Sequence, residues 1–315
     1  MISKQLAARG PQFTRPFTSR AGLNLFATSC AILGVFATSR GLANCHSALM
    51  TPSAGFVTSH AGLDVPAMLK TLKTDSTYNS SVVLYAASLL HDSELYKKTL
   101  AEFNIQLKKE PNNSFKAWML GRLVGAAENI NDKKAVKKAQ RQLKILLKKD
   151  IAHDEFRAWS LGYLAALNSE EYQQNKEEMI KAANALEKAK DALEKPANAL
   201  WAHVMNVQAA ARANDETTFE SILERMKQFT GKETVAEALA QIPANDWRAW
   251  AMGIVSESAA LMGDKKLYQE LSQPLSSEIN KAVSNSTGNA ILAQVSANTA
   301  DTLMQSRQAR ALGCK

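Results

Sequence analysis

One nine-residue phrase occurs three times in this chain, at residues 115–123, 156–164 and 247–255. Each copy runs large aromatic, cation, Ala, Trp, variable, Leu or Met, then Gly three residues after the Trp. The aromatic–cation–Trp–Gly positions are Phe115, Lys116, Trp118, Gly121; Phe156, Arg157, Trp159, Gly162; and Trp247, Arg248, Trp250, Gly253. A chain that repeats itself in this way builds from a recurring supersecondary unit whose copies bury one another's apolar faces.

The repetition extends beyond the phrase. Asp132, Asp215 and Asp264 each follow a Trp (118, 201 and 250) by fourteen residues, and Asp92 follows Tyr78 by the same interval. Aromatics at Tyr78, Trp118, Trp159, Trp201 and Trp250 therefore mark five units, spaced 40, 41, 42 and 49 residues apart. Each unit reads as a helix carrying the aromatic, a tight turn, and a second helix. Asp92, Asp132, Asp215 and Asp264 stand where an N-cap belongs, and Ser169 is expected to serve in the third unit. In the second unit Val136, Ala139, Leu143, Leu146 and Leu147 share one helical face, while Lys133, Lys137, Arg141, Lys144 and Lys148 share the other.

Glycine inside a helix costs roughly 0.5–1 kcal/mol relative to Ala. Its return at Gly121, Gly162 and Gly253 implies that a neighbouring helix, or the Trp ring, comes close to bare backbone there. The fourth unit has lost this Gly and the leading aromatic. A short extra helix, 233–242, ends at Pro243 and fills the longer interval before the fifth unit. Residues 287–311 read as a final helix capping the stack.

On these residues the chain resembles the tetratricopeptide-like superfamily of helical-hairpin solenoids, over roughly residues 75–310 and in architecture only. The Leu-Gly pair falls two and three positions after the Trp, and the period is near 41, so Sel1-like and HEAT-like arrays stay open. The resemblance implies a curved superhelix that binds peptides or proteins on its concave face.

The formal charge of +8 looks like a nucleic-acid signature until it is located. Lys4, Arg9, Arg15, Arg20 and Arg40 all precede the first acidic residue, Asp64; the remainder carries 33 basic against 30 acidic residues. An apolar run from Leu23 to Ala37 is too short for a span of about 20 residues. It suits the core of a secretory signal ending after Ala43, although the long Arg- and Ser-rich leader also fits a mitochondrial presequence. Residues 1–43 are therefore read as a targeting segment, 44–66 as a linker and 67–315 as the helical-repeat domain. Of the three cysteines, Cys30, Cys45 and Cys314, none lies in the repeats, so disulfides do not hold the fold.

No metal, nucleotide or catalytic motif is present, and no cofactor is implied. The five histidines (His46, His60, His91, His153, His203) are scattered; His91 reads as a cap neighbour and His203 as packing or surface. Two surfaces attract notice. The cations Lys116, Arg157 and Arg248, with Arg122 and Tyr163 flanking them, could form a ladder that grips an acidic partner. Pairing with Asp154, Glu155 and Asp246 in the loops is the plainer reading. The cations of 133–149 could instead contact a polyanion or an anionic membrane surface. That stripe lacks the interleaved aromatics that stack on bases, which disfavours nucleic acid.

The expectation is an all-α chain of about five helical hairpins plus a capping helix, exported or else mitochondrial. Its function is read as a non-enzymatic scaffold for a protein or peptide. The alternatives are a polyanion or membrane-surface binder using the basic helix, and an enzyme with an unrecognised site between repeats.

Overall fold

The computed structural model describes residues 63–149, 155–189, 192, 196–243, 247–285 and 287–311. The targeting segment, nearly all of the expected linker, all three cysteines, His46, His60, His153, Asp154 and Asp246 lie outside the described residues. Those described form thirteen α-helices and no strand. In order they are α1 (Val65–Thr71), α2 (Thr77–Leu89), α3 (Ser93–Lys109), α4 (Asn113–Asn129), α5 (Lys133–Lys149), α6 (Glu155–Ala165) and α7 (Ser169–Glu187). Then follow α8 (Ala197–Ala213), α9 (Glu216–Thr230), α10 (Val235–Leu239), α11 (Trp247–Met262), α12 (Lys265–Asn285) and α13 (Thr287–Ala311). Helix α1 begins inside the stretch read as linker.

One turn recurs between helix pairs. His91, Asn131, Asn214 and Gly263 have φ of 56°, 60°, 55° and 80°, the left-handed conformation that ends a helix. The next residue is the Asp. Its backbone N–H reaches back to a helix carbonyl, Asp92 to Ala87, Asp132 to Ala127, Asp215 to Ala210 and Asp264 to Ala259, at 2.8–2.9 Å. Its carboxylate accepts the N–H three residues on, from Leu95, Ala135, Thr218 and Leu267, at 2.9–3.0 Å. The same residue thus closes one helix and opens the next. In the third unit the cap is Asn168, whose Oδ1 accepts from Glu171 N–H at 3.0 Å, and not Ser169. Asn168 has extended backbone dihedrals, whereas Ser169 is already helical.

Helices α2, α4, α6, α8, α11 and α13 each pack on the next, and α13 returns to α2. They form a closed inner ring. The residues of α2, α4, α8 and α11 are buried on nearly every side, which explains why the sequence shows no polar stripe along them. Helices α3, α5, α7, α9 and α12 lie outside, each against its preceding inner helix, and the short α1 lies on α13. The expected helix over 287–311 is present, but it joins the two ends of the array instead of covering one. Tyr78 donates its hydroxyl to Asn289 Oδ1 at 2.5 Å across this joint. Val65, Leu69, Val83, Ala86, Ile291 and Val295 make an apolar cluster beside it.

The glycines mark where inner helices meet. A Cβ on Gly121 would stand 2.9 Å from Tyr163 Cβ; on Gly162, 2.6 Å from Met205 Cβ; on Gly253, 2.7 Å from Ser296 Cβ. Bare backbone therefore accommodates the next inner helix, not a Trp ring. The Trp side chains instead contact one another: Trp118 and Trp159 at 5.6 Å between centroids, Trp159 and Trp247 at 6.2 Å, Trp201 and Trp250 at 4.5 Å. Trp118, Trp159, Trp201 and Trp250 are all at most 2% exposed. Such pairs add about 0.5–1.5 kcal/mol each beyond their area.

Candidate functional site

The five expected partner-binding residues divide in two. Arg157 donates to Leu147 O at 2.5 Å, near the end of α5, and forms an ion pair with Glu178 of α7. Arg248 donates to Ile242 O at 2.8 Å and pairs with Glu278 of α12 at 3.4 Å. These cations clamp the preceding segment to the outer helix of their own unit, so their recurrence has a cause inside the fold. Glu178 and Glu278 both lie on outer helices, and Lys116 is half-buried. A ladder of free cations along one edge is therefore not what Arg157 and Arg248 make.

Arg122 and Tyr163 correct the reading more sharply. Both were expected at the surface, yet each is 1% exposed. Arg122 follows Trp118 by one helical turn, so it points where the Trp points, into the ring. Its guanidinium lies 5.1 Å from the Tyr78 ring centroid and 5.5 Å from that of Trp118. Burial pulls its pKa down to about 10, opposed by Tyr78, Tyr163 and Tyr85, so it stays cationic at neutral pH. Other charges are buried too. Arg212 of α8 and Glu257 of α11 approach to 3.8 Å with side chains 6% and 0% exposed. His203 is buried, with Nε2 2.7 Å from Glu187, which Arg225 also engages. Burial favours the neutral Glu187, but hydrogen bonds from His203 and Arg225 outweigh it and hold its pKa below the ordinary value.

A tyrosine device was not anticipated. Tyr96, Tyr172 and Tyr268 occupy the fourth position of α3, α7 and α12 and reach forward to Asp132, Asp215 and Asp301. Asp215 additionally accepts from Lys176 at 2.6 Å. Burial alone would raise Asp215; the hydrogen bonds from Lys176, Thr218 and Tyr172 reverse that and hold it well below the usual carboxylate range. The signal was present in sequence as a Tyr four residues after the cap of three units.

The outer face of α5 is the remaining candidate. Ala139, Leu143 and Leu147 are buried, and Lys133, Lys134, Lys137, Lys138, Arg141 and Lys148 are exposed. Lys144 is half-buried and pairs with Glu171 of α7, which also accepts from Gln140. No acid occurs among residues 133–149. Open grooves run beside this face, lined by Lys137, Arg141, Lys144 and Lys148. Ile145, 48% exposed, sits amid the cations.

No group of His, Cys, Asp or Glu among the described residues is disposed to hold a metal ion. No helix among them is long and apolar enough to cross a membrane. Comparison with family models, curated proteins and solved structures finds no match for the chain.

Proposed function

We propose that this chain is a non-enzymatic binding protein of the helical-repeat class that holds an acidic protein or peptide on the outer face of α5. About five hairpins of period near 41, akin to a tetratricopeptide-like array, supply a rigid frame for that face. The inner helices are not the docking surface in this reading, because they are consumed by packing on one another.

The carrying observation is the uncompensated charge of α5. Lys133 with Lys137, Lys134 with Lys138, and Lys137 with Arg141 are like charges at i,i+4, each costing a few tenths of a kcal/mol. Apart from Lys144, these cations have no ion pair among the described residues. A partner rich in carboxylates would relieve that repulsion and be steered to the face by its field. A membrane surface fits less well: one exposed apolar side chain, Ile145, offers little to bury between lipids.

The test is fluorescence-anisotropy titration with a labelled poly-glutamate peptide, with anionic vesicles and a single-stranded oligonucleotide as comparison ligands. Binding of the peptide that weakens with salt, and falls about tenfold or more in Lys137→Glu/Arg141→Glu/Lys148→Glu, is expected. Peptide affinity unchanged by the triple substitution would retire the proposal. Preferential binding to vesicles or oligonucleotide would transfer the face to the polyanion reading.

A further inference from the structure

Arg122 presents an imbalance that the fold itself does not resolve. Its Nη1 has only Met119 Sδ, 3.7 Å away, and thioether sulfur is a weak acceptor. Nε and Nη2 have no hydrogen-bond partner, in a residue 1% exposed. No carboxylate among the described residues forms an ion pair with it; the faces of Tyr78 and Trp118 lie beside it, and Tyr163 and Tyr85 are near enough to act on its charge. Aromatic faces attract a cation, but as acceptors of directed N–H bonds they are weak. A buried guanidinium left in this state is strongly unfavourable, because its desolvation is not repaid by any charged acceptor.

The geometry of the unanswered donors is specific. Nε–H and Nη2–H are the parallel pair on one edge of the guanidinium, the fork that meets both oxygens of a carboxylate or two oxygens of a phosphate. Nearby, across the closure of the ring, Asn289 accepts the Tyr78 hydroxyl through Oδ1 at 2.5 Å. Its own Nδ2, in a residue 0% exposed, also lacks a partner. The surplus around Tyr78 is thus of donors and of positive charge. What answers it must be an acceptor, anionic and small.

We infer that the interior of the helical ring at Arg122 binds a small carboxylate or oxyanion, gripped in bidentate fashion by Nε and Nη2. Helix α4 supplies the cation, and α2 supplies Tyr78 as the wall between it and Asn289 of α13. The site is separate from the outer face of α5, and neither depends on the other.

The experiment is thermal unfolding of the full chain in chloride buffer, with acetate, succinate, phosphate or sulfate added at matched ionic strength. At least one of these is expected to raise Tm along a saturable curve, because ligand that binds only the folded state stabilises it by mass action. Carboxylates acting without phosphate, or the reverse, would identify the class. Arg122→Met fills similar volume without the charge, so it should fold, melt no lower than wild type in chloride, and lose the anion response. Arg122→Lys keeps the charge but not the fork, and should weaken the response by about tenfold while leaving the fold intact. It serves if the Met variant fails to fold. The Lys137→Glu/Arg141→Glu/Lys148→Glu variant should keep the full response. If chloride and every oxyanion act alike, or if Arg122→Lys responds as wild type does, the site is refuted. Loss of the response with the α5 substitutions would equally refute it, by moving anion binding to the outer surface.

Discussion

At single positions, this fold is governed by how near one backbone can come to the next helix. Gly253 faces Ser296, and a Cβ there would lie 2.7 Å from Ser296 Cβ and 3.3 Å from Ala293 O. Gly253→Ala improves helix propensity, yet overpacking of this kind typically costs about 1–3 kcal/mol, so net destabilisation is expected. Ser296→Gly removes the atom in the way and by itself costs roughly 0.5–1 kcal/mol as a mid-helix glycine. Together they should be less damaging than their sum, with a coupling of about 1 kcal/mol or more in urea denaturation. Strict additivity would mean that α11 and α13 are not in this contact. The sequence told that the glycines meet something, since nothing else repays three of them at one offset from Trp. It did not tell what, because the partner lies about 42 residues away in the first two cases (Tyr163 and Met205) and carries no local mark. Arg122 was misread for a related reason: a cation suggests solvent, and only the one-turn spacing from Trp118 argued that it follows the indole inward.

At the scale of the element, the turn between helices carries most of what is repeated. The Asp caps were legible because capping is local, fourteen residues from an aromatic and immediately before a helix. Asn168 was missed because Ser and Asn cap almost equally well, and one residue of register separates them. The link from Tyr172 to Asp215 spans 43 residues and belongs to packing of one outer helix against the next turn. It has a pH signature. Asp215 is held below its ordinary value in the folded chain, so its ionised form contributes stability above the unfolded-chain pKa of about 3.9. That contribution is lost as pH falls through this value towards the lower folded one. Asp215→Asn keeps a capping side chain but gives up the charge facing Lys176, and at neutral pH should cost about 1 kcal/mol, moderated by partial exposure. The gap between the two proteins should narrow progressively as pH falls below about 4, where the unfolded chain takes up its proton while the folded carboxylate still resists it. Urea titrations at neutral and acidic pH measure both arms. A gap that widened on acidification would contradict the assignment of Lys176 and Tyr172 as its partners.

Across the whole molecule, closure decides how stability is distributed. An open array of hairpins leaves its end units with one neighbour each, and such units fray first. Here α2 and α13 are each other's neighbours, through Tyr78 with Asn289 and through Ile291 set among Val65, Leu69, Val83 and Ala86. Nothing in a local reading of sequence could foresee this, because Tyr78 and Asn289 stand 211 residues apart. The consequence is measurable. Amides in α2 and α13 should exchange with deuterium as slowly as those of α6 and α8, through global unfolding and not through fraying. Ile291 is 0% exposed, so Ile291→Ala should cost about 2–5 kcal/mol. Its effect on exchange should be uneven. Losing the joint turns a ring into an open array, so α2 and α13 should drop to a faster, sub-global class while α6 and α8 fall only with overall stability. Fast exchange of α2 in the wild-type chain would mean that the ends touch without holding, and the inner helices would then behave as a stack with two free ends.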